Sequence, residues 1–388
     1  MSYKLSAINK NLTDITHTSL IFLKVTHNTN LPLVIRKNYA LIYDENSSVN
    51  DMTGWALILV KGFQVLPSKT SNIIHLNLEL NHIGEDDVIK FNPANLSIRA
   101  LFRNKANANA FLLTEKCNSL CIMCSQPPRD LDDKMHFESL FKSLPLIPKS
   151  TKEITFTGGE PTLNFPSFTE SLKRAKFHLP NTAIHILSNG RNFQDKLLAK
   201  EVSNINHPDL MFGIPLYSDD EDTHDFVVQS KGAFTETIKG VMNLYKYRVP
   251  IEIRCVIHKY TYERLPQLAE FIARNLPFIS HVNFMGLERE GYGKMNFDDL
   301  WIEPNSFIDK LEEAVNHLDM VGIPVRLYNY TQCMLPKSLR HRAVVSISDW
   351  KNEFREECDS CRLKPDCCGL FKSIASAKGV KVYPEYDN

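Results

Sequence analysis

The 388-residue sequence has no surplus of either charge, since 45 Lys and Arg stand against 45 Asp and Glu. Without a basic field or stripe, the counterion release that drives phosphate binding is missing, which argues against a nucleic-acid partner. Long hydrophobic runs are also lacking. The longest apolar stretches, such as Trp55 to Val60, fall far short of the ~20 residues of a bilayer-spanning helix, so no membrane span is predicted. Met1 to Ser19 lacks the basic start, apolar centre and small-residue cleavage site of an export signal, and the expected location is the cytoplasm. No internal repeat or low-complexity tract is present. In a reducing compartment the nine cysteines do not read as a disulfide framework, because thiols there stay free for metals and redox chemistry.

What is present is an ordered set of thiols. Cys117, Cys121 and Cys124 have the spacing C-x3-C-x2-C and follow the apolar run Ala108 to Leu113. Random placement of nine cysteines would give this spacing roughly 0.005 times in such a chain, so coincidence is a poor explanation. Three thiolates can hold three irons of a 4Fe-4S cluster and leave the fourth iron open for a substrate or cofactor. A second group, Cys333, Cys358, Cys361 and Cys367 with Cys368 as the alternative to Cys367, combines C-x2-C-x5-C with one upstream ligand. Four thiolates suit an auxiliary iron–sulfur cluster or tetrahedral zinc equally well. Cys255 stands alone in a predicted strand and reads as a small buried apolar residue.

From about Leu20 to Asn107, short β-branched runs at Leu33 to Arg36, Ala40 to Tyr43, Trp55 to Val60, Ile73 to Leu80 and Val88 to Phe91 predict a β-rich module. The rhythm then changes. Strands are predicted at Ala110 to Thr114, Glu153 to Thr157, Ala183 to Leu187, Leu210 to Leu216, Glu252 to Ile257 and His281 to Phe284. Amphipathic segments lie between them at Phe137 to Ser143, Ser167 to Phe177, Phe234 to Tyr245 and Leu265 to Arg274. Six β/α units in succession predict an α/β fold, a partial (β/α)6 TIM-like barrel with its active site at the C-terminal ends of the strands. The expected organisation is a β-rich N-terminal module over residues 1–107, the barrel over 108–300 and a small cysteine-rich extension over 301–388. That extension contains a helix near Asn305 to Asp319 and a strand at Pro324 to Tyr328.

The segment Thr157-Gly158-Gly159-Glu160-Pro161 ends the second predicted strand, and with the first cysteine motif it resembles the radical S-adenosylmethionine (SAM) superfamily. The resemblance implies that Cys117, Cys121 and Cys124 ligate a SAM-binding 4Fe-4S cluster. It also implies that Gly158, Gly159, Glu160 and Pro161 contact the methionyl amine, the glycines admitting backbone carbonyls to an ammonium and Glu160 adding negative charge nearby. Ser188-Asn189-Gly190 resembles the Thr/Ser-Asn-Gly turn of the superfamily, although an ordinary Asn-Gly turn explains the same residues. Pro215-Leu216-Tyr217-Ser218 stands where relatives carry Ser-x-Asp, which leaves Ser218 as the candidate ribose contact. Arg254 matches a SAM-facing polar position on the fifth strand, with an ion-paired barrel arginine as the alternative. His224-Asp225-Phe226 and Lys231-Gly232-Ala233-Phe234 resemble elements of peptide-modifying members. No catalytic acid or base is assigned among the 13 histidines.

A narrower likeness lies in Met123-Cys124-Ser125-Gln126-Pro127-Pro128-Arg129 and in Ile347-Ser348-Asp349-Trp350. Both resemble the C-type radical SAM maturase of the His-Xaa-Ser peptide system. The superfamily resemblance implies reductive cleavage of SAM to a 5′-deoxyadenosyl radical, and the narrower one implies modification of a ribosomally made precursor peptide. It further implies an auxiliary 4Fe-4S cluster at the second cysteine group, a flavodoxin or ferredoxin reductant, and a partner radical SAM protein of the same system. Two other readings stay open. One is a radical SAM enzyme acting on a small molecule in cofactor or modified-base biosynthesis; the other is a non-enzymatic iron–sulfur or zinc scaffold.

Overall fold

The computed structural model describes residues 3–4, 19–47, 51–62, 64, 72–347, 351–375, 377 and 379–386. The chain divides into two compact units, one of residues 1–111, 134–154 and 173–182, the other of residues 112–133, 155–172 and 183–388.

In the first unit seven strands form one sheet: β1 (Tyr3–Lys4), β2 (Ile21–Thr26), β3 (Tyr39–Tyr43), β4 (Leu57–Val60), β5 (Ile73–His75), β6 (Val88–Asn92) and β7 (Ser97–Phe102), in the order β1-β7-β6-β2-β3-β4-β5. Successive side chains point to opposite faces. Leu57 and Leu59 therefore join Leu23, Ile42 and Ile89 in one core, and Ile58 and Val60 join Leu41 and Trp55 in the other. Leu33 to Arg36, expected as a strand, is instead one helical turn, α1 (Leu33–Arg36), with Leu33 and Val34 exposed. The reason is topological. β2 and β3 run parallel, so the chain must cross back between them, and α1 lies in that crossover behind Pro32, whose φ of −55° suits a helix start. Ile73 to Leu80 likewise divides into β5 and a turn at Leu78–Leu80, where the Asn77 side chain accepts from the Leu80 amide. The unit also holds α2 (Lys134–Ser143).

A second sheet is built from β8 (Ala110–Leu112), β9 (Glu153–Thr157), β10 (Ala183–Leu187), β11 (Leu210–Pro215), β12 (Ile251–Ile257), β13 (His281–Gly286), β14 (Val325–Tyr328) and β15 (Ala343–Val344), with neighbours in chain order. The pairings from β10 through β15 are parallel, giving a curled TIM-like half-barrel. Crossovers are made by α3 (Phe165–His178), α4 (Lys196–Ile205), α5 (Glu221–Val228), α6 (Ala233–Lys246) and α7 (Leu265–Asn275). The strand expected in the extension, β14, joins this sheet and is followed there by β15.

Alternation along these strands separates two surfaces. Ile186, Phe212, Ile214, Ile253, Cys255 and Phe284 are fully buried, and Phe212 meets Phe168 and Phe193 edge-on at 6.3 and 5.1 Å between ring centres. The alternate positions carry His185, Gly213, Glu252, Arg254, His281 and Asn283, aligned by register across β10 to β13. One face thus packs on helices, and the other is polar.

After β13 come α8 (Gly291–Met295), α9 (Phe297–Leu300) and α10 (Ile308–Met320); after β15 the strands β16 (Asn352–Glu353) and β17 (Leu370–Phe371) pair antiparallel, and α11 (Lys372–Ala375) follows. Ser348, Asp349 and Trp350 lie outside the described residues, as does most of Met1 to Ser19. Among the described residues no helix is long and apolar enough to cross a membrane.

Candidate metal and cofactor centre

The first cysteine loop leaves β8 and is fixed from several sides. The amides of Leu120 and Ile122 donate to the carbonyls of Val228 and Val227 at the end of α5, both at 3.0 Å, and the Tyr292 amide of α8 donates to the Cys124 carbonyl at 2.8 Å. Gly291, at φ +55°, has Pro127 and the carbonyls of Cys124 and Ser125 within 2.7 Å of where a Cβ would stand. Only a glycine fits there. The Met123 to Arg129 run is therefore seated on the segment after β13, and its return is tied by the Arg129 amide donating to the Glu115 carbonyl at 2.8 Å.

None of the three thiols is in a disulfide. Burial pushes Cys117 up to about 11, with the nearby Glu160 and Cys124 adding to the rise. Burial also pushes Cys121 up to about 12, helped by Cys124 and Cys117, and raises Cys124. Cys117 and Cys121 thus each feel a neighbouring thiol, and a cationic metal would favour their thiolate forms. Among the described residues no three His, Cys, Asp or Glu side chains gather around a point that could hold a single ion. A mononuclear site draws its sulfurs to ~2.3 Å from one centre, whereas a cubane holds them on separate irons. Three free thiols on one short loop are a donor set of the kind that would bind separate irons of a cluster.

The Gly158-Gly159-Glu160-Pro161 turn follows β9 and lies directly against this loop. The amides of Gly159 and Glu160 donate to the carbonyls of Thr114 and Lys116 at 2.9 and 2.7 Å. A Cβ on Gly158 would stand 2.6 Å from the Thr114 oxygen; on Gly159 it would stand 2.1 Å from the Lys116 oxygen and 3.1 Å from the Cys117 Cβ. The glycines thus let two backbones meet, a role additional to the one expected from a ligand ammonium. Glu160 is wholly buried. Its Oε1 accepts from the Thr162 amide (3.0 Å), the Thr162 hydroxyl (2.5 Å) and the Ser188 hydroxyl (2.8 Å), and its Oε2 accepts from the Asn189 amide (2.6 Å). Burial raises its carboxyl above the ordinary range against the pull of these donors. Glu160, Ser188 and Asn189 form one network joining the ends of β9 and β10, and Asn189 continues it to the loop by donating to Asn118 Oδ1 at 2.6 Å.

Arg191 was not foreseen. It is buried just after that turn, where its Nε donates to Glu236 Oε2 at 2.6 Å and its Nη1 donates to the Asn118 carbonyl and, at 3.0 Å, to the Ser119 hydroxyl. Its cation lies close enough to act on Cys121. The only sequence signal is its place directly after Gly190.

Ser218 is fully buried; its hydroxyl accepts from the Asp220 amide at 3.1 Å and lies 3.5 Å from Asp219 Oδ1. Asp219 in turn is gripped by both nitrogens of Arg264. Tyr217, beside it, feels the charges of Cys121 and Cys124, and burial holds its phenol well above the usual range. Arg254 donates from Nη1 to Glu252 Oε1 at 2.7 Å and lies over the Tyr328 ring. Glu252 also faces His185 at 3.1 Å and His281 at 2.7 Å; burial works against its charge, but the two histidines and Arg254 bring its carboxyl well below the usual range. His224-Asp225 and Lys231 to Phe234 act locally. His224 Nδ1 accepts from the Tyr217 amide, and Asp225 accepts from the Gly232 and Phe234 amides at the start of α6.

The second cysteine group surrounds a small cavity lined by Cys333, Cys358, Cys361 and Cys367 together with Phe354, Leu363, Leu370, Val382 and Pro384. Amides of Gln332 and Gly369 donate to the Cys367 sulfur at 3.5 Å. Amides of Tyr383 and Glu385 donate to the sulfurs of Cys333 and Cys361 at 3.2 and 3.4 Å. Cys368 does not line the cavity. It is buried, with its thiol donating to the Tyr330 and Gly369 carbonyls, and burial pushes it up to about 12. Of the two cysteines that spacing left equivalent, Cys367 is the one that lines the cavity. Cys255 is fully buried, and its thiol is likewise pushed up to about 12.

Comparison with protein families matches residues 111–272 to the Radical SAM superfamily. An uncharacterized protein of Methanocaldococcus jannaschii is 28% identical over 223 residues, covering 55% of this chain and 72% of that protein. The sporulation killing factor maturation protein SkfB of Bacillus subtilis is 26% identical over 196 residues, covering 48% and 45%. The Fe-coproporphyrin III synthase of Methanosarcina barkeri is 23% identical over 222 residues, covering 55% and 53%. The match thus spans about half the length of the last two.

Proposed function

We propose that the chain, whose residues 111–272 match the Radical SAM superfamily, is a radical SAM enzyme that modifies a ribosomally made precursor peptide of the His-Xaa-Ser type. The observation that carries the catalytic part is the seating of the three-thiol loop against the Gly158 to Pro161 turn, with Gly159 on the Cys117 Cβ. Cys117, Cys121 and Cys124 would hold a 4Fe-4S cluster, and Gly158 to Pro161, Ser188, Asn189, Ser218 and Arg254 remain the candidates for contacting SAM. Such a cluster with SAM on its open iron supplies one-electron cleavage of the sulfonium to methionine and a 5′-deoxyadenosyl radical, with a flavodoxin or ferredoxin as electron source.

The chain's own contribution is placement. Glu160 locks two strand ends together, and Arg191 clamps the loop through Asn118 and Ser119. Cys333, Cys358, Cys361 and Cys367 would hold an auxiliary cluster. Four thiols around a cavity, each of three accepting at least one amide N–H, provide a complete ligand set with no open corner, which suits electron transfer rather than substrate binding.

The peptide substrate rests on the Met123 to Arg129 resemblance and on the second cysteine group. The relatives divide on this point, one being a sporulation killing factor maturation protein and another an Fe-coproporphyrin III synthase, so a small-molecule substrate is the competing reading. Anaerobically reconstituted protein, SAM and dithionite, incubated with a short His-x-Ser peptide encoded beside its gene, should produce 5′-deoxyadenosine and a mass change in the peptide. Deoxyadenosine with every such peptide unaltered would favour a small-molecule substrate; absence of both would favour a scaffold.

A further inference from the structure

The segment Val380 to Tyr386 contains no helix or strand, yet it is held at several points. Gly379, at φ +88°, turns the chain into it. Val382 and Pro384 then line the four-thiol cavity, and the Tyr383 and Glu385 amides donate to the sulfurs of Cys333 and Cys361. The Glu385 carboxylate lies between two guanidiniums. Oε1 accepts from Arg340 Nη2 at 2.6 Å, and Oε2 accepts from Arg362 Nη2 at 2.5 Å and Nε at 3.1 Å. The Arg362 amide returns a bond to the Glu385 carbonyl at 2.9 Å, and the Tyr386 hydroxyl donates to the Glu357 carbonyl. Partners of the segment come from four stretches, around Cys333, around Cys361, at Arg340 and at Asn305, whose Nδ2 donates to the Tyr383 hydroxyl at 3.4 Å. Two of the four described amide-to-sulfur bonds originate in this one segment.

We propose that Val380 to Tyr386 is a strap that completes the second metal site and that Glu385 is its latch. The inference rests on the reading of the four thiols as a cluster site. Glu385 is a positioning residue: it does not touch the metal, but its ion pairs hold two N–H donors on two thiolates and two apolar side chains across the opening. Hydrogen bonds to cluster sulfurs and exclusion of solvent set both retention and reduction potential. The strap therefore determines how tightly the second cluster is kept and at what potential it accepts an electron. The ion pairs are partly exposed, so their work is geometric rather than a large contribution to folding.

The test uses full-length, anaerobically reconstituted protein. Glu385→Ala should release second-site iron to bathophenanthroline at least about tenfold faster than wild type, while first-cluster iron leaves at the wild-type rate and so reports an intact fold. Arg340→Ala and Arg362→Ala should each give part of that acceleration, and Glu385→Asp should restore much of the retention. Tyr383→Pro removes one N–H without touching the latch; it should move the second cluster's midpoint potential to a more negative value in an EPR-monitored titration, which a purely structural role would not require. Equal release rates in Glu385→Ala and wild type, with an unmoved potential in Tyr383→Pro, would overturn the strap while leaving the site reading intact. If Cys358→Ser with Cys361→Ser leaves the iron content of the chain unchanged, the site reading itself fails and the strap fails with it.

Discussion

The two thiol groups differ in count and in what encloses them. The first has three cysteines on one short loop, pinned between strand ends by Gly159, Arg191 and the Tyr292 amide. The second has four, drawn from Cys333 to Cys367, around a cavity over which a separate segment is laid. Three ligands leave a coordination position for chemistry; four leave none. Rigid strand ends suit a site that must place a reactive group, whereas a strapped cavity suits one that must only retain metal and pass charge. On the proposed reading, the number of thiols would separate reaction from electron supply within one chain.

The largest expected effect falls on the first group. Cys124→Ala should remove its cluster and all SAM cleavage while second-site iron stays, read as loss of about half the iron and of 5′-deoxyadenosine on chromatography. Persisting cleavage would erase the distinction between the groups. Gly159→Ala comes next. A Cβ 2.1 Å from a backbone oxygen cannot be relieved by a rotamer, so we expect destabilisation of about 3 kcal/mol or more in urea unfolding, with Gly158→Ala milder. A wild-type midpoint for Gly159→Ala would show that the turn does not bear on the cysteine loop. The Cys358→Ser, Cys361→Ser double variant should lose the second cluster and retain SAM cleavage; unchanged iron with lost zinc would make the second group structural.

The smallest effect concerns the barrel unit around the first group. Burial lowers His224 to about 4 and His258 to about 3, below the ordinary ~6.5 of an exposed imidazole. The unfolded chain takes up these protons first, so their contribution is whole above pH 6.5 and is lost as pH falls toward the folded values. Each should cost about 2 kcal/mol of stability between pH 7 and pH 5. Urea midpoints at the two pH values check this, and a flat profile in wild type would mean that neither imidazole is held neutral.

The barrel was legible because six apolar strands alternate with amphipathic segments, and strand alternation puts Ile253 and Cys255 on one face and Glu252 and Arg254 on the other. The placement of the cysteine and Gly-Gly-Glu-Pro motifs at strand ends was legible because each directly follows an apolar run. Leu33 to Arg36 misled because a β-branched run carries no record of the parallel crossover in which it sits. Arg191 and the strap escaped notice for a related reason: their partners, Asn118 and Cys361, are far away in sequence. Choosing Cys367 over Cys368 needed side-chain direction, which spacing between adjacent residues cannot supply.

The most direct test of the account is the EPR spectrum of dithionite-reduced Cys358→Ser, Cys361→Ser protein, in which only the three-thiol cluster remains, recorded with and without SAM. An open iron predicts that SAM alters the spectrum and that 5′-deoxyadenosine follows. An unaltered spectrum without deoxyadenosine, from protein that carries the cluster, would contradict it.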